Sequence, residues 1–227
     1  MNKHAQSVDR FSAMEKLGKD GTTESLLALC KRFSFKYDKT IEDQQEKQWV
    51  VDTLGGKDPA AVLPALRSYM ASAQSLHYPL MILGRVASHD EALAVIDEVL
   101  AAEPPGYTRD PERRTDLIAW LGEWDPGTSV EVATRVIPYL ADFDENVRYK
   151  AVDTIALKPH ESAGEPLVRA LIRPEEESRR LRVRIAEVLA EHQWDLGELK
   201  TEVAPLLEPG QQLEAFKMHR DRLQRRD

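Results

Sequence analysis

Residues Val136 to Ala156 read VIPYLADFDENVRYKAVDTIA, and the order of residue types in this stretch decides the fold. Val136, Pro138 and Leu140 alternate along an aliphatic segment, and an interior proline removes one amide donor and bends a helix where it sits. A short polar turn bearing Asp144 follows. Beyond it, Val147, Ala151, Val152 and Ile155 fall on one stripe at helical spacing. The stretch therefore reads as two helices joined by a tight turn.

Working outward, the end of this unit, Ile155-Ala156, belongs to a series. A large aliphatic residue followed by Gly or Ala recurs at Leu54-Gly55, Leu83-Gly84, Leu121-Gly122, Ile155-Ala156 and Leu189-Ala190, at intervals of 29, 38, 34 and 34 residues. The two equal intervals bring further columns into register: Leu117, Ala151 and Ile185; Ile118, Val152 and Ala186; Arg114, Arg148 and Arg182. Self-similarity at 20 to 50 residues is the mark of a repeat architecture. The longer interval contains Pro104-Pro105-Gly106, which forbids a continuous helix and lengthens one connection.

A second helix type lies between these. It shares a proline pattern, Val62-x-Pro64-x-Leu66, Val136-x-Pro138-x-Leu140 and Val203-x-Pro205-x-Leu207. Start signals agree: Asp58-Pro59 and Asp110-Pro111 place a capping carboxylate before a first-turn proline, and Asp90, Thr128 and Ser178 are candidate N-caps. The spacing predicts A helices at about 22–36, 58–71, 90–102, 128–141, 161–173 and 195–207, and B helices near 41–55, 76–87, 111–123, 144–157, 178–192 and 211–226. An extra helix near 6–17 would cover the first pair. No stretch shows sustained apolar-polar alternation between hairpin turns, so the expected fold is all-α, an α-solenoid of about six antiparallel helical pairs. It is expected to be a single domain over 1–227: an N-terminal capping helix in 1–20, helical repeats over 21–207, and a C-terminal capping helix with a basic tail in 208–227. In that last helix Leu213, Phe216 and Leu223 stand among Lys217, Arg220, Arg222, Arg225 and Arg226.

The stretch from Val136 to Ala156 closely resembles a HEAT repeat, whose pattern is an aliphatic-proline helix, a turn bearing Asp, then Val-Arg and an Ala and Leu stripe. Residues 178–190 match the second half through Leu181-Arg182 and Leu189-Ala190, and 110–122 match through Arg114 and Leu121-Gly122 without the Val before Arg. The resemblance covers about 41–207 and implies a HEAT-like α-solenoid with no particular chemistry. It also implies an inter-repeat hydrogen-bond ladder, here Asp110, Arg114, Asp144, Arg148 and Arg182, since arginine can hold a carboxylate and backbone carbonyls at once.

Composition narrows the function classes. The 227 residues, 42% hydrophobic and 31% charged, describe a folded chain. The net charge of −8 counts against nucleic acid or anionic membrane as the main partner. The longest apolar run, Pro59 to Leu66, is far short of the ~20 residues that span a bilayer. The lone Cys30 and an opening segment without an apolar core point to the cytoplasm.

No motif commits to catalysis, a metal or a cofactor. The six histidines, His4, His77, His89, His160, His192 and His219, include no H-E-x-x-H and no Cys-His zinc spacing. Deoxyhypusine hydroxylases are HEAT-like enzymes that use several His-Glu dipeptides around a di-iron centre; this chain has only His160-Glu161, with Glu191-His192 reversed. Cys30, although beside Lys31 and Arg32, shares its helix with Leu26, Leu27, Leu29 and Phe33 and reads as a packing residue. Gly55-Gly56 follows a helix instead of opening one, so it is no phosphate loop.

The expected function is non-catalytic binding of a protein or peptide on the concave side. In HEAT arrays B helices line that side, which assigns Trp49, Asp52, Tyr78, Met81, Asp116, Trp120, Lys150, Asp153, Arg184 and Glu187 as contacts. The bland alternative is that these aromatics fill gaps between repeats. HEAT-like DNA alkylation-repair glycosylases supply a second class: Trp120 and Asp116 share a helix, and Arg179, Arg180, Arg182 and Arg184 follow, yet Glu175-Glu176-Glu177 adjoins them and that family's tryptophan-aspartate segment is not matched. Phycobilisome lyases, which also carry HEAT-like repeats, supply a third. Neither the partner's identity nor the oligomeric state is legible.

Overall fold

The computed structural model describes residues 6–226, so His4 lies outside the described residues. The chain divides into two compact units, Met1–Glu103 and Pro104–Asp227. The two are described separately.

Among the described residues the first unit holds six α-helices: α1 (Ser7–Asp20), α2 (Thr23–Cys30), α3 (Thr40–Gly55), α4 (Pro59–Met70), α5 (His77–Val86) and α6 (His89–Ala102), with a 3-10 turn over Lys31–Ser34. α1 stops where Gly21 turns left-handed (φ 66°) and its N–H reaches the Leu17 carbonyl, a conformation that glycine adopts without Cβ strain. Thr22 then caps α2 by accepting from the Ser25 amide. α2 packs on α4 and α3 on α5, so each helix type stacks on its own kind. Asp58 caps α4 as expected, with Pro59 in the first turn. The cap of α6 is not Asp90 but Ser88, in a reciprocal capping box with Glu91 that satisfies two amides at once.

The second unit holds α7 (Glu112–Glu123), α8 (Ser129–Val136), α9 (Glu145–Leu157), α10 (Gly164–Ile172), α11 (Arg179–Glu191) and the short α12 (Lys200–Val203). α7 packs on α9 and α9 on α11, while α10 packs on α11 and α12. The 34-residue columns are occupied as the spacing requires. Leu117, Ala151 and Ile185, Ile118, Val152 and Ala186, and Leu121, Ile155 and Leu189 are all fully buried. The small residue after each aliphatic has a packing reason: a Cβ on Gly122 would come within 3.3 Å of Thr154 and Leu157 of α9. Thr154 Oγ1 in turn donates to the Ile118 carbonyl at 2.9 Å, tying α9 to α7 at this close approach.

The prolines act in two ways. At Pro138 and Pro205 the α-helix ends and continues as 3-10 turns, Ile137–Ala141 and Ala204–Leu207, so the bend is a tightening of the last turn. Pro64 instead lies within a continuous α4. Thr128 and Ser178 cap α8 and α11 as expected; α7 differs, beginning after Pro111 with no side-chain cap, so Asp110 does not cap it.

The C-terminal capping helix over 208–227 is corrected. Residues Phe216–His219 (β1) and Arg222–Arg225 (β2) form an antiparallel hairpin in which Phe216 faces Arg225 and Met218 faces Leu223. The loop residues Arg220 (φ 49°) and Asp221 (φ 63°) are both left-handed, the geometry whose twist suits a two-residue hairpin. Leu213, Phe216 and Leu223 are buried, as a capping element demands, with β2 against α11. The hairpin thus stands on α11 where the next B helix was expected.

Candidate functional site

The polar architecture of the second unit is a ladder of three arginines at the 34-residue spacing. Arg114 donates from Nη1 to Asp142 Oδ2 at 2.9 Å and to the Gly106 carbonyl at 2.6 Å. Arg148 grips Glu176 with Nε (2.7 Å) and Nη2 (3.0 Å), and its Nη1 reaches the carbonyls of Asp142 and Phe143. Arg182 reaches Gln212 Oε1 at 3.0 Å and the Arg173 carbonyl at 2.8 Å. Each guanidinium therefore holds the turn before its own helix and an acceptor about one repeat further on, which its planar fork permits and an ammonium would not.

The carboxylates of the ladder are Asp142 and Glu176, not Asp110 and Asp144. Asp144 caps α9, accepting from the Asn146 and Val147 amides. Asp110 is exposed, and its amide donates to Thr108 Oγ1. That contact is itself part of the repeat: Thr108, Asp142 and Glu176, spaced by 34, each accept from the amide two residues on. The ladder is structural.

Of the expected contact residues, Asp116, Trp120, Lys150, Asp153, Arg184 and Glu187 lie on α7, α9 and α11, and all are half-buried. Trp120 stacks on the buried Trp124, centroids 5.0 Å apart, which leaves it partly a packing residue. Arg184 Nε donates to Asp153 Oδ1 at 2.7 Å, and Glu187 lies 3.6 Å from Arg184 and 3.8 Å from Arg225, giving a chain of charges from α9 across α11 to β2. Burial works against the Arg184 charge, but the Asp153 hydrogen bond, with Glu187 nearby, outweighs it and holds the pKa above its ordinary value. Beside this chain an open groove of about 470 Å³ is floored by Tyr149 and Val183 and edged by Arg179, Arg180, Arg184 and Glu187. Arg180 sits 4.3 Å over the Tyr149 ring, a cation–π contact at the rim.

No family model, curated protein or solved structure matches this chain. The geometry alone must carry the functional reading.

In the first unit, two of the four expected contacts serve its own packing. Trp49 lies against Phe11 of α1 at 5.3 Å, and Tyr78 stacks on Phe33 at 5.1 Å with rings nearly parallel. Asp52 is exposed and accepts from Arg85 at 2.7 Å and from Gln48 at 2.9 Å, bridging α3 and α5. Met81 is half-buried.

What sequence reasoning missed there is a buried ionic cluster. Arg32, with no exposed surface, donates to Glu46 Oε2 at 2.7 Å and to Asp43 Oδ1 at 2.6 Å. Arg10 binds Glu46 at 2.7 Å, and Lys47 binds Asp43 at 2.7 Å. Tyr37 lies under both guanidiniums, 4.0 Å from Arg10 and 4.4 Å from Arg32. Burial pushes the Asp43 pKa up, but Lys47 and Arg32 overcome it and hold the carboxyl below its ordinary value. The signal was available. Reading back from Leu54 and Val50, the buried stripe of α3 runs on to Lys47 and Asp43, so charges occupy core positions.

Burial pushes the Cys30 thiol up to about 12, which suppresses its nucleophilic thiolate. Among the described residues no group of three or more His, Cys, Asp or Glu is placed to hold a metal ion, and no helix is long and apolar enough to cross a membrane.

Proposed function

We propose that this chain is a HEAT-like α-solenoid protein of the cytoplasm that acts without catalysis, binding a protein or peptide on the face formed by its B helices. The observation that carries the reading is the surface of α9 and α11: Asp153, Arg184 and Glu187 form a partnered chain of charge beside the Tyr149 and Val183 floor. Half-buried aromatic and arginine side chains held in fixed positions are the groups that dominate interface energies, because little entropy is lost when a partner covers them. A groove open along its length suits an extended or helical segment better than an enclosed small molecule.

A second reading has one observation in its favour. Arg179, Arg180 and Arg184 edge this groove with an aromatic floor, the pairing that single-stranded nucleic acid uses. Against it, Arg184 is already paired to Asp153 and Arg180 lies 3.5 Å from Glu145. Crosslinking of the full chain in native extract, followed by mass spectrometry on wild type and Arg184→Glu, tests the reading. The expected result is loss of a protein set crosslinked to α9 and α11; an unchanged set would contradict the surface, and recovery of polynucleotide with a steep salt dependence would favour the second reading.

A further inference from the structure

The turns that the ladder holds carry two aromatic side chains that folding does not explain. Tyr107 is 77% exposed and Phe143 69%, and the two rings meet edge to face with centroids 5.4 Å apart. Both stand on backbone that is pinned from below. The Gly106 carbonyl accepts from Arg114 and its amide donates to Asp142 at 3.2 Å; the Phe143 carbonyl accepts from Arg148 at 3.0 Å. A solvent-facing aromatic pair on rigid turns is a preorganised anchor, since the entropy of ordering it has already been lost on folding.

Phe143 forms one wall of a half-open groove of about 560 Å³ between the turns 141–145 and 173–178. The two arginines in that groove are engaged internally: Arg148 holds Glu176, and Arg173 donates to the Leu140 carbonyl at 2.7 Å. Glu175 and Glu177 are exposed, with no ion-pair partner among the described residues. Asp142, Glu145 and Glu176 are matched by Arg114, Arg180 and Arg148, so the negative charge that the groove offers beside the aromatic pair is carried by Glu175 and Glu177.

We propose that this groove binds a basic, arginine-bearing segment of a partner protein, with a guanidinium on the Tyr107–Phe143 pair and its neighbours on Glu175 and Glu177. Arginine fits both halves. Its weakly hydrated planar cation stacks on aromatic faces, and its fork pairs with carboxylates. This groove shares no lining residue with the one beside Arg184, although Glu145 of the one lies 3.5 Å from Arg180 of the other, so each is tested with its own variants.

The test is fluorescence anisotropy of the full chain with a nine-residue fluorescein-labelled peptide carrying arginine at every second position. Loss of an aromatic anchor or of the acidic rim should weaken binding about tenfold or more, for Tyr107→Ser with Phe143→Ser and, separately, for Glu175→Lys with Glu177→Lys. Glu191→Lys with Glu202→Lys makes the same change of charge at exposed positions outside the groove and should leave affinity within about twofold. The substituted side chains are all exposed, so circular dichroism should show each variant folded. A glutamate version of the peptide should not bind. The proposal is overturned if the arginine peptide does not bind, if the aromatic variant keeps full affinity, or if the outside charge pair weakens binding as much as the groove pair, which would reduce the effect to general attraction by an acidic chain.

Discussion

The two units solve one problem, where to put arginine inside a helical protein, in opposite ways. The second unit distributes its arginines, one per repeat, so that Arg114, Arg148 and Arg182 each hold one turn and one acceptor further along. The first concentrates Arg10, Arg32 and Lys47 around Asp43 and Glu46 in one buried cluster with Tyr37. A distributed ladder can lose a rung and keep the others, because each arginine has its own acceptors. A concentrated cluster is less forgiving, because its ions share partners and removing Arg32 takes one from both buried carboxylates at once.

The comparison predicts an order of damage. Arg32→Met takes one of its two cationic partners from each of Asp43 and Glu46, leaving Lys47 and Arg10 to hold them, and should cost about 3 to 5 kcal/mol through the lost charged hydrogen bonds, read as a lowered denaturant midpoint. The same cluster sets an acid sensitivity. Because the Asp43 pKa is depressed by folding, its contribution is present above the ordinary carboxylate value of about 3.9 and disappears as pH falls through the lower folded value. Stability measured across that window should fall less in Arg32→Met, relative to its own neutral value, than in the wild type; equal slopes would remove the cluster from the account. Leu121→Ala, which empties a fully buried column position, should cost about 2 to 5 kcal/mol in thermal unfolding, and an unchanged melting temperature would break the repeat register. Arg148→Ala removes one rung and should cost about 1 to 3 kcal/mol, less than Arg32→Met; a larger loss would erase the contrast between ladder and cluster. Ile155→Val, one methylene in the same column as Leu121, should cost about 0.5 to 1.5 kcal/mol.

Much of this architecture was legible because it rests on periodicity. Ten of the twelve expected A and B helices have α-helical counterparts, some finished by 3-10 turns, the A helix expected at 195–207 survives only as the four-residue α12 between 3-10 turns, and the columns at Leu117, Ile118 and Leu121 repeat as buried positions. The rest was hidden for physical reasons that differ from case to case. The C-terminal hairpin turns through Arg220 and Asp221, neither of them glycine or asparagine, and its buried Leu213, Phe216 and Leu223 also suit a helical stripe. The ladder carboxylates were misassigned because Asp142 and Asp144 are two residues apart in one turn; capping takes the second and leaves the first to face Arg114. The contact surface was legible only as a face, since spacing cannot say that Trp120 is half claimed by Trp124 or Trp49 by Phe11.

The claim beneath all of this is that the second unit is built from interchangeable 34-residue bricks. Deleting residues 144–177 from the full chain tests it most directly: Ser178 would inherit the capping place of Asp144, Leu181 to Leu189 would succeed Val147 to Ile155, and Arg114 would keep Asp142. The account predicts a shortened protein that still unfolds cooperatively, with helical ellipticity per residue retained and a lower melting temperature. A deletion product that is unfolded or molten, with no cooperative transition, would contradict it.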